Sequence, residues 1–146
     1  MHFVTGGAFN GKRKWVIRTY QLADQENVNW ISAYSDQSLL NDLYTVKESY
    51  IVLEGIEKWI KEMTVQHPTH ECRDIWNETL NGWLGWEQAA KQRTLILIGT
   101  DITKGIVPLE EQNRIWRDVT GWCYQDTSLK STRIDIIWYG INQKIK

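Results

Sequence analysis

The chain has 146 residues, with 17 Lys plus Arg against 18 Asp plus Glu, and a formal charge of -1 offers no general attraction to nucleic acid. No apolar run approaches the ~18 residues a membrane-spanning helix needs, and the length suits a single domain over residues 1–146 with one sizeable core. Cys72 and Cys123 lie far apart in no paired spacing, and the N-terminus lacks a charged start followed by an apolar stretch, which together suggest a cytoplasmic protein with reduced thiols.

Residues 2–5 form a short extended run, followed by Gly6, Gly7 and Gly11 and then a helical stretch over about 12–22 whose inward face is Trp15, Val16, Thr19, Tyr20 and Ala23. A second strand is expected over 28–34 and a short helix over 39–44. Residues 50–53 are a compact apolar run of the kind buried on both faces of a sheet, and the run stops at Glu54. A helix over 56–64 precedes the break His67-Pro68-Thr69-His70, where Thr69 is a candidate cap for a longer helix over 71–91. Trp76, Leu80, Trp83 and Ala90 share one stripe of it. The chain holds nine Trp; Trp76, Trp83 and Trp86 read as core or subunit interface in preference to a ligand platform.

Residues 94–98 are the most hydrophobic strand and end at Gly99-Thr100-Asp101. A loop with Gly105-Ile106-Val107-Pro108 leads to a helix over 109–124, then a last strand over 134–139 and a polar tail over 143–146. Strands alternating with helices at this spacing indicate an α/β fold with a mostly parallel central sheet and helices on both faces.

Gly6, Gly7, Ala8, Phe9, Asn10, Gly11 and Lys12 match Gly, four residues, Gly-Lys, between a predicted strand and a predicted helix. Glycines let backbone amides turn around a phosphate, the helix start adds partial positive charge, and Lys12 reaches the terminal phosphates. Arg13 departs from this motif, because a magnesium-coordinating hydroxyl belongs at its position and a guanidinium cannot coordinate a metal. With Lys12 and Lys14 beside it, Arg13 lets the loop neutralise phosphate with side-chain charge. In such folds the strand beside the phosphate loop ends in an acidic residue facing the metal, and Glu54 stands in that place as the candidate magnesium ligand. Asp101 ends the next strong strand and offers a second carboxylate on the same edge. The fold expected is a P-loop NTPase-like (RecA-type) three-layer sandwich.

These residues resemble the bifunctional adenosylcobinamide kinase/adenosylcobinamide-phosphate guanylyltransferases of cobalamin biosynthesis and salvage. Val4 to Ala8 with Gly11-Lys12 is similar to that family's phosphate loop, and Glu54-Gly-Ile-Glu-Lys-Trp59 resembles its Asp-Cys-Leu-Thr-Leu-Trp segment. Asp101-Ile102, Gly105 to Pro108, Arg114, Arg117-Asp118, Gly121 and Gln125 reproduce the family's spacing without a gap. The resemblance covers most of the chain except roughly 35–48 and the Trp-rich helix. It implies transfer of phosphate from GTP or ATP, with magnesium, to the hydroxyl of a corrinoid, cobinamide, then guanylyl transfer through a histidine, in a homo-oligomer. In the family that histidine precedes the acidic strand, whereas residues 13–54 contain none here. The reading is therefore a cobinamide kinase-like phosphotransferase without the guanylyltransferase half, with Lys12, Glu54 and Asp101 as catalytic residues. The alternative is a catalytically inactive nucleotide-binding or regulatory homologue.

Arg114 and Arg117 are candidate phosphate or substrate contacts; Glu110, Glu111 and Asp118 at helical spacings offer the alternative of a salt-bridged face. His67, His70 and Cys72 have the composition of a metal site but lack a fourth ligand, and a polar loop running into a helix is the better reading.

Overall fold

The computed structural model describes residues 1–40 and 42–146. Five strands run parallel: β1 (His2–Thr5), β2 (Val28–Ser32), β3 (Tyr50–Glu54), β4 (Thr94–Ile98) and β5 (Arg133–Trp138). A sixth, β6 (Ile141–Lys144), pairs antiparallel with β5, and the order across the sheet is β2-β3-β4-β1-β5-β6. Ile51, Val52 and Leu53 of β3 and Leu95, Ile96 and Leu97 of β4 have no solvent exposure. Their unbroken apolar runs are what a parallel strand covered on both faces requires.

Alternation along these strands sorts the side chains into two layers. Phe3, Ile51, Leu53, Leu95 and Leu97 pack beneath α2 (Ile56–Gln66), α3 (Thr69–Gln88) and α4 (Glu111–Lys130). Val4, Val52, Ile96 and Ile98 face α1 (Lys12–Thr19), whose Trp15 and Val16 are buried. Helices on both sides of the sheet make the P-loop NTPase-like three-layer sandwich expected from the sequence.

Five of the nine Trp go into the core (Trp15, Trp59, Trp76, Trp83 and Trp86), while Trp122 and Trp138 are exposed. Trp76, Leu80, Trp83 and Trp86 form the buried stripe of α3, and the rings of Trp76 and Trp83 meet edge to face at 5.6 Å. The N–H groups of Trp76 and Trp83 find specific acceptors, whereas that of Trp86 is buried without one. Trp76 Nε1 donates to Thr127 Oγ1 at 3.0 Å and to the Cys123 carbonyl at 3.2 Å on α4. Trp83 donates to the Leu40 carbonyl at 2.8 Å, and Trp59 of α2 donates to that of Gln37 at 2.8 Å. These last two bonds explain why the helix expected over 39–44 does not form among the described residues, Asn41 lying outside them. Carbonyls held by indoles from the core, with Leu43 buried, fix the segment as irregular chain.

Other boundaries moved for local reasons. The first helix ends at Thr19, since Gln21 is left-handed (φ 53°) and opens a separate turn over Leu22–Asp24, so that Leu22 is buried and Ala23 is not. The second strand stops at Ser32, whose hydroxyl accepts from the Tyr34 amide and starts a turn. Pro68, not Thr69, caps α3. The last helix runs on to Lys130 and contains Thr127, whose hydroxyl donates to the Cys123 carbonyl. The expected polar tail instead pairs as β6, turned by Tyr139 (φ 50°) and Gly140 (φ 80°). Two successive positive φ values make the tight turn whose twist matches a hairpin. The exposed, polar β6 shields the β5 edge.

Candidate nucleotide site

Parallel strands bring their carboxyl ends to one edge, with Ser32, Glu54 and Ile98 in register and Val4 opposite Ile98. The loop from Gly6 to Gly11 leaves β1 at this edge and enters α1. At Gly6 φ is 139°, and an added Cβ would lie 2.4 Å from the Ile137 carbonyl oxygen, so only glycine passes the β5 backbone there. The hairpin turn steadies the loop from outside, because the Gly140 amide donates to the Asn10 carbonyl at 2.8 Å. Phe9, at φ 57°, is fully exposed at the tip.

Lys12 is 8% exposed and turns back into its own loop, its Nζ donating to the carbonyls of Gly6 (3.0 Å) and Gly7 (2.7 Å). Burial lowers its pKa, opposed by the nearby charges of Glu57, Glu54 and Asp101. Glu54 shares the α1 face of the sheet with Val52, which aims it at the first turn of α1. There Arg13 Nη1 donates to Glu54 Oε2 at 2.6 Å, and the guanidinium lies 4.7 Å from the centre of the Trp30 ring. Trp30 Nε1 donates to the same oxygen at 2.8 Å.

Glu57, in the first turn of α2, is also buried beside the loop. Its carboxylate accepts from the Thr100 amide at 2.9 Å, from Tyr34 Oη, and from Tyr124 Oη at 3.4 Å. Burial, followed by the hydrogen bond to Glu57, pushes the Tyr34 phenol well above its usual range. A cavity of about 740 Å³ opens between these groups, with Lys12, Arg13, Tyr34, Glu54, Glu57 and Thr100 on its walls. Ala8 to Lys14 thus face the same space as the acidic strand end.

Asp101 stands at the base of the loop without entering that cavity. Its amide donates to the Gly6 carbonyl at 3.0 Å, while its carboxylate accepts from the Thr103 amide (3.0 Å) and hydroxyl (2.6 Å). Burial pulls its pKa up, but the Thr103 bonds and the Lys104 charge outweigh that and hold it below the usual value. Asp101 and Arg117 line a second groove of about 1110 Å³ between α4 and the β5–β6 end of the sheet. Arg114 reaches neither space; its Nη1 donates to the carbonyls of Pro108 (3.1 Å) and Leu109. His67 and His70 are exposed, and Cys72 is buried with its thiol on the Pro68 carbonyl at 3.4 Å. Their side chains therefore do not converge on a metal.

The edge differs from expectation in one topological respect. The strand directly beside β1 is β4, and the acidic-ended β3 lies one position further out. Sequence reading also passed over Trp30, Tyr34 and Thr100 as site residues, and gave Glu57 no role. Glu57 had a usable signal, since it stands three residues after Glu54, in the first turn of the helix that Gly55 opens. Trp30 and Tyr34 had none, because they arrive from β2 and the turn that follows it.

Magnesium does not fit the residues as arranged. Position 13 carries a cation instead of a hydroxyl, and Glu54 Oε2 already accepts from two donors.

Sheet order, the glycine loop ending in Lys12 and the acidic end of β3 define a P-loop NTPase-like protein. A family model described as cobinamide kinase / cobinamide phosphate guanyltransferase matches residues 23–145, most of the chain. The chain belongs to this family of cobalamin biosynthesis. Because the match begins after the phosphate loop, it is support independent of the loop motif. No individual curated protein matches significantly. Among the described residues no helix is long and apolar enough to cross a membrane.

Proposed function

We propose that the chain is a cobinamide kinase-like phosphotransferase that binds GTP or ATP at the Lys12 loop and has lost guanylyl transfer. The observation that carries this reading is one cavity in which the phosphate loop and Lys12 face the buried carboxylates Glu54 and Glu57. Loop amides and Lys12 Nζ, released from the Gly6 and Gly7 carbonyls, would hold the terminal phosphates and neutralise charge that develops as the γ-phosphoryl group moves to an acceptor hydroxyl. A carboxylate at the strand end would orient that hydroxyl. Asp101 would position the loop through its amide and would face the acceptor from the adjoining groove with Arg117; Arg114 would act through the loop it braces.

Loss of guanylyl transfer is supported by the histidines. Residues 13–54 contain none, His2 is buried 2.9 Å from Asp135, and neither His67 nor His70 borders the cavity. The inactive-homologue reading has its own observation in the Arg13–Glu54 contact, which ties up the acidic strand end. Purified protein incubated with adenosylcobinamide and GTP or ATP, followed by mass spectrometry, separates the two. Cobinamide phosphate without GDP-cobinamide is the expected product. Nucleotide binding with no phosphate ester would favour the inactive homologue, and no nucleotide binding would reject both. The homo-oligomer and the cytoplasmic setting belong to the same proposal; light scattering on the eluted protein tests the first.

A further inference from the structure

The misfit to magnesium is specific in its geometry. Arg13 makes two contacts, with Glu54 Oε2 at 2.6 Å and with the Trp30 face at 4.7 Å, and these two partners are tied to each other by Trp30 Nε1, which donates to the same carboxylate oxygen at 2.8 Å. An arginine stacked on an indole and paired with a buried carboxylate is a fixed charge, and its delocalised cation loses less hydration there than an ammonium would. The contact joins the first turn of the phosphate-loop helix to the acidic strand end. Those two elements are the ones that a metal bridges in P-loop proteins.

Charge around the cavity points the same way. Its walls carry four cationic side chains, Lys12, Arg13, Lys14 and Lys58, against two carboxylates, Glu54 and Glu57. One of the two carboxylates is already matched by Arg13, so the remaining cations face an incoming polyphosphate without a divalent ion between them. Arg13 is itself 57% exposed along its side chain, so guanidinium N–H groups beyond the Glu54 contact are open to a ligand oxygen.

We propose that Arg13 takes the place of the divalent cation, so that this chain binds nucleoside di- and triphosphates independently of magnesium, with the Arg13–Glu54 contact kept in the bound state. The inference rests on the nucleotide reading above and goes beyond it in naming the cation. Calorimetric titration of the wild-type chain with ADP, GDP and non-hydrolysable triphosphate analogues, in excess magnesium and in excess EDTA, tests it. Dissociation constants should agree within about threefold between the two conditions, and Arg13→Thr should bring a magnesium dependence of roughly tenfold or more. Should Arg13→Thr fail to fold, the wild-type comparison still decides, together with manganese resonance spectra, which should show no protein-held ion in the nucleotide complex. Binding weakened more than about tenfold by EDTA, or manganese held by the protein, would overturn the inference and leave the nucleotide reading standing. No binding in either condition would remove the nucleotide reading and the inference with it.

Discussion

Glu54 is 6% exposed, and one of its oxygens accepts from both Arg13 and Trp30. Glu54→Gln keeps the shape and removes the charge, which should cost about 1.5–3 kcal/mol of stability, the range for a hydrogen bond to an ionised group; urea denaturation reads it. Lys12→Ala should weaken nucleotide binding by at least about tenfold, or roughly 1.4 kcal/mol, because its Nζ is the cation that the loop itself presents. An unchanged dissociation constant would dismiss Lys12 as a phosphate ligand. The loop itself was legible in the sequence since its form depends on a local run, Gly6 to Lys12, that leads straight into a helix. Trp30 and Tyr34 were not, because nothing near them in the chain shows which carboxylate they will meet.

At the scale of elements, α3 carries more of the core than any feature of its sequence except the Trp spacing suggested. Leu80 has no exposure and sits between Trp76 and Trp83, so Leu80→Ala should cost about 2–5 kcal/mol through lost burial and the cavity left behind. Trp83→Phe keeps an aromatic ring, deletes the bond to the Leu40 carbonyl and leaves a small void where the rest of the indole packed. A loss of about 1–2 kcal/mol should be accompanied by faster hydrogen exchange around residues 37–40, and exchange unchanged there would show that the indole does not hold the segment. The helix reading over 39–44 failed for this reason. Local composition permitted a helix, but backbone carbonyls engaged by Trp59 and Trp83 decided otherwise. The β6 hairpin was missed where Tyr139-Gly140 offered a turn signal and the exposed, polar strand beyond it offered no apolar face.

The whole molecule carries a pH dependence away from the candidate site. His2 is wedged beneath Trp15, with Nδ1 2.6 Å from Tyr20 Oη and Nε2 2.9 Å from Asp135, and Arg133 also bonds to Asp135. Burial, then the Arg133 charge, lowers its pKa from 6.5 to about 4, although Asp135 pulls the other way. The folded value lies below the unfolded one, so the unfolded chain takes up the proton first as pH falls. Stability should therefore decline between pH 6.5 and about 4, by up to roughly 3 kcal/mol for a shift of this size. Asp126 and Asp135 are held below 3.8, Asp126 chiefly by Arg73 and Asp135 by Arg133 and Asn142 against its burial. Their stabilisation is intact above that range and is lost only at more acid pH. Denaturation midpoints across pH should show two stages, and His2→Asn should flatten the upper one.

The sequence by itself determined the alternation of strands and helices, the glycine loop between β1 and α1, and the acidic end of β3. Each of these depends on periodicity or on neighbours within a few residues, which the chain displays directly. Tertiary structure decided that β4 stands between β3 and β1, that Asp101 and Arg117 face a different space from Lys12, and that indoles of α2 and α3 hold the carbonyls of Gln37 and Leu40. It also decided the fate of Arg13. As sequence, Arg13 was only a missing hydroxyl; in the fold it meets a carboxylate 41 residues away, because strand register levels Ser32, Glu54 and Ile98 at one edge and strand alternation turns Glu54 and Trp30 toward the first turn of α1.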